Sequence, residues 1–354
     1  MKKYLFIMAT AALFAACSSD SDPLVENEDE PQVAINFDQF VGNQTRAAIA
    51  DKAALATEGG FVVYGYKADK PASGTPAWTS GTQTIFNAEN VKSSDSGTTW
   101  TYDNLRFWDK QSYYNFFAVA PYSPASGTYT IDGAANGYFT IDGAKSNKST
   151  DSDDFLVARG GKKNVDGNYT GTHAKVEFDF HHVMAKVDFK LKSTLSTGKV
   201  TVTRLEMTGW NNGQGKFVQN QAATPTTLEC TEWTIATADD GDKILVGTGA
   251  GQTSVELTCA ATSPEVKAVT DWYIMVPQAI AANTLKFTID YTYTKGDYTE
   301  TFKDQEATLA AAQTWGTDSH TTYTLNIAPG AIEFDVTSIC GFCVNGGDNG
   351  VTVQ

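Results

Sequence analysis

Residues that could do chemistry are few in this sequence. Cysteines stand at 17, 230, 259, 340 and 343. Cys340-Gly341-Phe342-Cys343 has the spacing of half a zinc site, but no second pair of Cys or His stands at metal-ligand spacing. A redox Cys-x-x-Cys needs a strand running into a helix, and downstream of this one stands Gly346-Gly347-Asp348-Asn349-Gly350, a hairpin turn. Cys230, Cys259, Cys340 and Cys343 allow three disulfide pairings, among which spacing does not choose. They read as structural or idle. His181 and His182 are adjacent, so on a strand they point to opposite faces and cannot serve one site without a bulge; they too read as structural. Asp239-Asp240-Gly241-Asp242 and Asp151 to Asp154 resemble pieces of calcium loops, yet both lack the full ligand register and the closing Glu, so turn chemistry is expected. Gly247-Thr248-Gly249-Ala250-Gly251 looks like a phosphate loop but sits between two strand patterns with no helix after it. No nucleophile elbow, zinc-protease motif or Cys/His/Asn order is present. The expectation is therefore no catalysis, no metal and no cofactor.

Cys17 is a different case. Met1-Lys2-Lys3 is a positive n-region, and Tyr4 to Ala16 is apolar but too short to span a bilayer, which is the form of an export signal. It ends in Phe14-Ala15-Ala16-Cys17, resembling the lipobox of bacterial lipoproteins with Phe14 as a loose match. The implied chemistry is cleavage before Cys17 and lipidation of its thiol, since several acyl chains hold a protein on a membrane far better than one. A plain secretory signal cut near Ala16 is the alternative. Residues 17–32 then form an acidic tether, with six carboxylates and no basic residue between Ser18 and Pro31. Such a run also resembles the signal that sends lipoproteins to the outer face of the outer membrane.

The elements that must carry these residues are almost all strands. The centre of the chain, Ala174 to Lys192, alternates apolar and polar residues with a period of two, and the phase slips by one across His181-His182. This slip reads as the seam between two β-domains, 33–172 and 173–354, with the boundary somewhere between 160 and 182. Val33, Ile35 and Phe37 alternate in a first strand closing near Val41, and an Ala-rich stretch to Thr57 reads as a helical turn. Phe61 to Tyr66 and the aromatic run Tyr113 to Ala120 read as strands, the second fully buried. Thr128 to Ile131 and Tyr138 to Ile141 flank a turn, and Phe155 to Ala158 closes the first half. The second half has eight further strand patterns between Lys199 and Ile327, then Ile332, Phe334 and Val336 alternating after Pro329, and a short strand or hairpin tail. Short strands separated by turns and no long amphipathic helix mean an all-β protein of sandwiches or barrels.

Composition agrees with this and narrows the partners. With 354 residues the chain can bury two cores. Its formal net charge of −15 excludes the basic stripe that nucleic acid requires. Seven Trp leave room for a sugar-stacking surface, with Trp78, Trp100 and Trp210 beside polar, Gly-rich stretches.

Several motifs recur here in a definite order. They are the lipobox, Ile35-Asn36-Phe37, Thr45-Arg46-Ala47, the FVVYGY strand at 61–66, YNFFAVAPY at 114–122, DFLVA at 154–158, FHHVMAKV at 180–187, YIMVPQ at 273–278, Trp315-Gly316 and YTLNI at 323–327. In this order the chain resembles the fimbrillin (Mfa-like) family of surface lipoproteins of anaerobic Gram-negative gut and oral bacteria. The resemblance implies two tandem transthyretin-like β-sandwiches, export as a lipoprotein to the outer membrane, and a fimbrial subunit whose partners are other fimbrial subunits. In stalk subunits of the family a trypsin-like protease cuts after an Arg, removing the first strand and opening a groove that a strand of another subunit fills. Arg46 and Ala47 match that cut, Val33 to Val41 the strand removed, and Ile332, Phe334 and Val336 the donor. Burying three such side chains contributes roughly 5–9 kcal/mol. The four distal cysteines and the short tail from Cys340 depart from the family pattern. The competing readings are a surface lipoprotein adhesin that binds a host or bacterial glycan or protein without polymerising, and a hydrolase accessory domain. A binder would keep its first strand and its lipid.

Overall fold

The computed structural model describes residues 32–41, 49, 51–76, 78, 82–132, 138–148, 153–158, 162–168, 175–219, 230–236, 240–260, 262–328, 331–339 and 349–353. Among them the first half contains strands β1 (Phe37–Val41), β2 (Phe61–Asp69), β3 (Gln83–Val91), β4 (Ser112–Ala120), β5 (Thr128–Asp132), β6 (Tyr138–Ala144), β7 (Asn147–Lys148), β8 (Leu156–Ala158), β9 (Lys162–Asp166) and β10 (Val176–His182). The second half contains β11 (Ala185–Lys192), β12 (Lys199–Asn211), β13 (Gly215–Gln219), β14 (Cys230–Ile235), β15 (Asp240–Val246), β16 (Val255–Thr258), β17 (Val266–Ala268) and β18 (Tyr273–Met275). It continues with β19 (Gln278–Ile280), β20 (Lys286–Lys295), β21 (Tyr298–Thr308), β22 (Gln313–Trp315), β23 (His320–Ala328), β24 (Ala331–Ile339) and β25 (Asn349–Val353). One helix, α1 (Lys52–Thr57), is capped by Asp51, whose side chain accepts the Ala54 N–H. The all-β class read from the sequence is the observed one.

The first sheet runs β1-β10-β8-β4-β2-β3, with β9 on β4. Its central strands β2 and β4 are apolar on both faces because both faces are covered. On one side Phe61, Val63, Phe116 and Ala118 pack with Ile35, Phe37, Phe178, Phe180 and Leu55 of the helix. On the other, Val62, Tyr64, Phe117 and Val119 meet Phe139, Ile141 and Phe217, which belong to a four-stranded sheet ordered β14-β13-β6-β5. In the second half two sheets, β25-β24-β23-β11-β18-β7 with β17, and β15-β12-β20-β21 with β16, enclose a third core. Val187, Phe189 and Leu191 face Val202, Leu205, Phe287 and Ile289 there, the arrangement of a β-sandwich.

The central run behaves differently from the sequence expectation in one respect. Val176, Phe178, Phe180 and His182 are all buried, so the alternation of β10 holds through the two histidines. The phase changes one step later, at Val183-Met184, both fully buried between strands, where the chain leaves the first sheet and enters the next as β11. No bulge at the histidines is needed, because the slip falls in a crossover between sheets.

A second feature has no counterpart in local pattern. β6 pairs with β13, with Ile141 opposite Phe217, and β7 pairs with β18, with Lys148 opposite Tyr273. Strands from the first half therefore complete sheets of the second, and the chain from Val33 onward clusters as one compact unit. A specific protease site inserted at 171–172 and cut should accordingly yield two polypeptides that still co-elute in size-exclusion chromatography and separate only in denaturant. Separation in native buffer would show that the β6–β13 and β7–β18 ladders do not hold the halves together.

Candidate functional site

The strand that the sequence reading assigns to the groove is the start of the described chain. Ile35 and Phe37 are fully buried while Asn36 between them is exposed, as the alternation from Val33 dictates. Trp108 donates its backbone N–H to the Val33 carbonyl at 2.9 Å and Ile35 donates its own to the Arg106 carbonyl at 2.8 Å, an antiparallel bridge centred on Ala34 and Phe107. From Phe37 the strand turns to the other neighbour and pairs with β10 in parallel, Phe37 opposite Val176 through Val41 opposite Phe180. Val176 donates to the Asn36 carbonyl at 2.8 Å.

The side chains explain why this strand fits. The Phe37 ring lies 5.2 Å from Phe86, 5.6 Å from Tyr102, 5.8 Å from Phe116 and 5.9 Å from Phe178, edge-on to Phe86 and Phe116. The Tyr102 hydroxyl donates to the Ile35 carbonyl at 2.7 Å. Burial pushes the Tyr102 phenol above its ordinary range, against the smaller opposing pull of Arg106, so it remains a neutral donor. At the solvent edge Asp38 accepts from Lys52 at 2.9 Å and from Lys175 at 3.4 Å.

β1 ends its sheet, and among the described residues β10 is its one ladder partner. Its removal would expose the free edge of β10 and a slot walled by Phe86, Tyr102, Phe116 and Phe178. An open edge of that kind pairs with another strand unless something covers it.

Beyond Arg46 and Ala47 the chain is anchored separately. Ile49 is buried and donates its N–H to Asp154 Oδ2 at 3.1 Å. Asp154 Oδ1 lies 2.7 Å from His182 Nδ1, with both side chains out of solvent. The neighbouring Asp153 accepts from the Ala125 and Ser126 backbone, so the described part of the acidic Asp151–Asp154 run is structural. Arg46 and Ala47 lie outside the described residues, as do Cys17, Cys340 and Cys343.

The strand designated as donor is β24, and it is paired within its own sheet, antiparallel to β23 on one side and β25 on the other. Val336 is buried in the sandwich core and Ile332 packs against it; Phe334 stands opposite Leu325 in the ladder. Ile332, Phe334 and Val336 are thus not next to the Phe37 slot in this conformation.

Other sequence candidates resolve simply. Trp100 and Trp210 are core residues, 4% and 2% exposed, so neither offers a ring for a sugar; apolar packing, not the flanking Gly and polar residues, decided their placement. Trp78 donates its indole N–H to Asn164. His181 pairs with Asp179 at 3.1 Å. Cys259 is a buried free thiol 3.6 Å from Ser193 Oγ, and Gly247–Gly251 is a turn between β15 and β16. A cleft of about 330 Å³ on the second-half sheet is lined by Lys186, Asp188 and Trp272. The Lys186 ammonium lies 4.1 Å from the Trp272 ring centroid there, and His320 Nε2 lies 2.8 Å from Asp188. Among the described residues no group of three His, Cys, Asp or Glu could hold a metal ion.

The comparison that decides identity is with protein families, where the profile described as fimbrillin-like matches residues 45–339. The chain belongs to the fimbrillin-like family. No curated protein matches it. Similar solved structures include a cell-adhesion candidate from Bacteroides uniformis at 15% identity and a TM-score of 0.44, covering 87% of this chain and 97% of that one. The tip fimbrial protein Mfa3 of Porphyromonas gingivalis is similar at 10% identity and 0.35, covering 88% and 100%. A fimbrial assembly protein of Parabacteroides distasonis is similar at 10% and 0.30, covering 86% and 96%. As a fimbrillin-like protein the chain is a fimbrial-type protein of the cell surface. No described helix is long and apolar enough to cross a membrane.

Sequence reasoning found the strand but missed its supports. Lys52, Tyr102, Lys175 and the Asp154–His182 pair come from distant segments, and the one local signal was Asp38 on the outward face of an alternating strand.

Proposed function

We propose that this fimbrillin-like protein is a structural pilus subunit that polymerises by strand exchange. The observation that carries the reading is the position of the first strand. It fills a hydrophobic slot with Ile35 and Phe37, lies at the end of a sheet, and is succeeded within a few residues by Arg46. In the proposal the precursor is lipidated at Cys17 and held on the outer membrane; cleavage between Arg46 and Ala47 frees the strand; and the slot is refilled by β24 of another fimbrial subunit. Strand addition supplies main-chain hydrogen bonds, and alternate side chains entering pockets supply specificity. Because β24 is docked in its own sheet here, donation includes its release from β23 and β25. The donor's loss is offset in the acceptor, where ladder bonds form again.

The deciding experiment is the N-terminal residue of the protein isolated from cells. Ala47 is expected, and a mature chain that begins only at lipidated Cys17 would assign the protein to an anchor or a non-polymerising adhesin. The lipid step has its own test: Cys17→Ala should abolish membrane attachment of the precursor. Retention of the substituted protein on membranes after a high-salt wash would disprove lipidation as the anchor.

A further inference from the structure

The two strands that the exchange reading connects have nearly the same sequence. Ala34-Ile35-Asn36-Phe37-Asp38 opens the chain and Ala331-Ile332-Glu333-Phe334-Asp335 begins β24, identical at four of five positions. We infer that β24 is a copy of the first strand, and that in a second molecule Ile332, Phe334 and Asp335 take the places of Ile35, Phe37 and Asp38. The inference rests on the strand-exchange reading and adds its register, its direction and its charge contacts.

The pattern of identity follows the contacts. Position 34 forms the bridge to Phe107, positions 35 and 37 fill the slot, and position 38 meets Lys52 and Lys175. These four are the shared ones. The differing residue is Asn36, which is exposed and whose side chain donates to the Ala34 carbonyl at 3.2 Å within its own segment. Glu333 cannot repeat that donation, but an exposed position leaves its carboxylate in water, so the change does not disturb the slot. Beyond Asp38 the likeness ends, with Gln39-Phe40-Val41 set against Val336-Thr337-Ser338.

Direction follows from side-chain order. For Ile, Phe and Asp to reach three different receptors in sequence, the donor must run as β1 runs, parallel to β10 with Phe334 opposite Val176. A donor shifted by one residue would direct Glu333 and Asp335 into the slot, because strand side chains alternate faces. A donor in the opposite direction would carry Asp335 away from the two lysines. The ion pairs are solvent-exposed and add little affinity by themselves, but they discriminate against the wrong register. The partner that fits is a second copy of this chain, whose β24 carries the A-I-x-F-D order.

Two experiments on the full chain test this. In the first, residues 34–41 are replaced by the sequence of 331–338, which amounts to Asn36→Glu, Gln39→Val, Phe40→Thr and Val41→Ser. The graft is expected to melt within about 5 °C of wild type, whereas grafting 332–339 there, which includes Ile35→Glu and Phe37→Asp, should lower Tm by more than about 10 °C. Equal losses from both grafts would overturn the copy. In the second, Asp335→Lys protein and Lys52→Asp/Lys175→Asp protein are each cleaved after Arg46 and followed by native electrophoresis. Each alone should form ladders about tenfold more slowly than wild type, and a mixture should recover the wild-type rate, because it again offers contacts of opposite charge. Wild-type rates from Asp335→Lys alone would overturn the register while leaving strand exchange standing. Wild-type protein that forms no ladders would remove the strand-exchange reading itself, and the graft would still decide whether β24 copies β1.

Discussion

Trypsin should cut the folded protein after Arg46 before most of its other Lys and Arg sites, and the cleaved protein should then form ladders that resist mild detergent. Arg46→Ala protein should stay monomeric under the same treatment. The difference is all or none, because the provisional strand cannot leave while it remains covalently joined to the anchored chain at Ile49. Arg46 is favoured by its place in the polar stretch Gly42-Asn43-Gln44-Thr45, past the end of β1. Many other basic residues are engaged, as Arg204 is with Glu206 and Asp304 and Lys52 with Asp38. Deleting residues 330–354 should also abolish the ladders. It removes Val336 from the sandwich core but takes nothing from the core that contains Phe37, so the first sheet should stay folded. Cleaved wild-type protein that remains monomeric at high concentration would end the stalk-subunit reading in favour of an anchor or an adhesin.

Much of this fold was legible because period-two alternation is a local property. Ile35 and Phe37, the FVVYGY strand, the aromatic run of β4 and the long strand β20 are visible as buried faces from the residue order alone. What the sequence hid is which sheet a strand joins. Nothing in Tyr138–Ala144 says that it pairs with Gly215–Gln219, since the hydrogen bonds are made by backbone groups common to all residues and the partner is about seventy positions away. The burial of Trp100 and Trp210 was hidden for a related reason: their polar neighbours in sequence say nothing of the apolar walls that close over them. The likeness of residues 34–38 to 331–335 was present in the sequence throughout. It acquires meaning only when the structure shows that the shared positions are the ones with contacts.

The second large effect is expected at Asp154. Its carboxylate is buried without solvent contact, accepts from the Ile49 backbone at 3.1 Å, and lies 2.7 Å from His182. Asp154→Ala leaves the buried Ile49 N–H without this acceptor and the His182 ring without its carboxylate. A buried group left without its hydrogen-bond partner costs about 1–3 kcal/mol, and two lose theirs here, more than a surface ion pair contributes. Urea unfolding should show that loss as a lower midpoint at unchanged slope. The same substitution bears on assembly. In the wild type Asp154 holds Ile49 and Leu55 of α1 packs in the core, so cleavage upstream should release the first strand alone. Without that anchor the cut end would peel back with Ile49 and Leu55, which pack in the same core as Phe37, and the slot would lose its own wall. Cleaved Asp154→Ala protein should therefore unfold or aggregate at temperatures where cleaved wild type forms ordered ladders. A stability within about 1 kcal/mol of wild type would show that Asp154 is not the anchor. The retained boundary of the processed subunit would then have to be set by the helix alone.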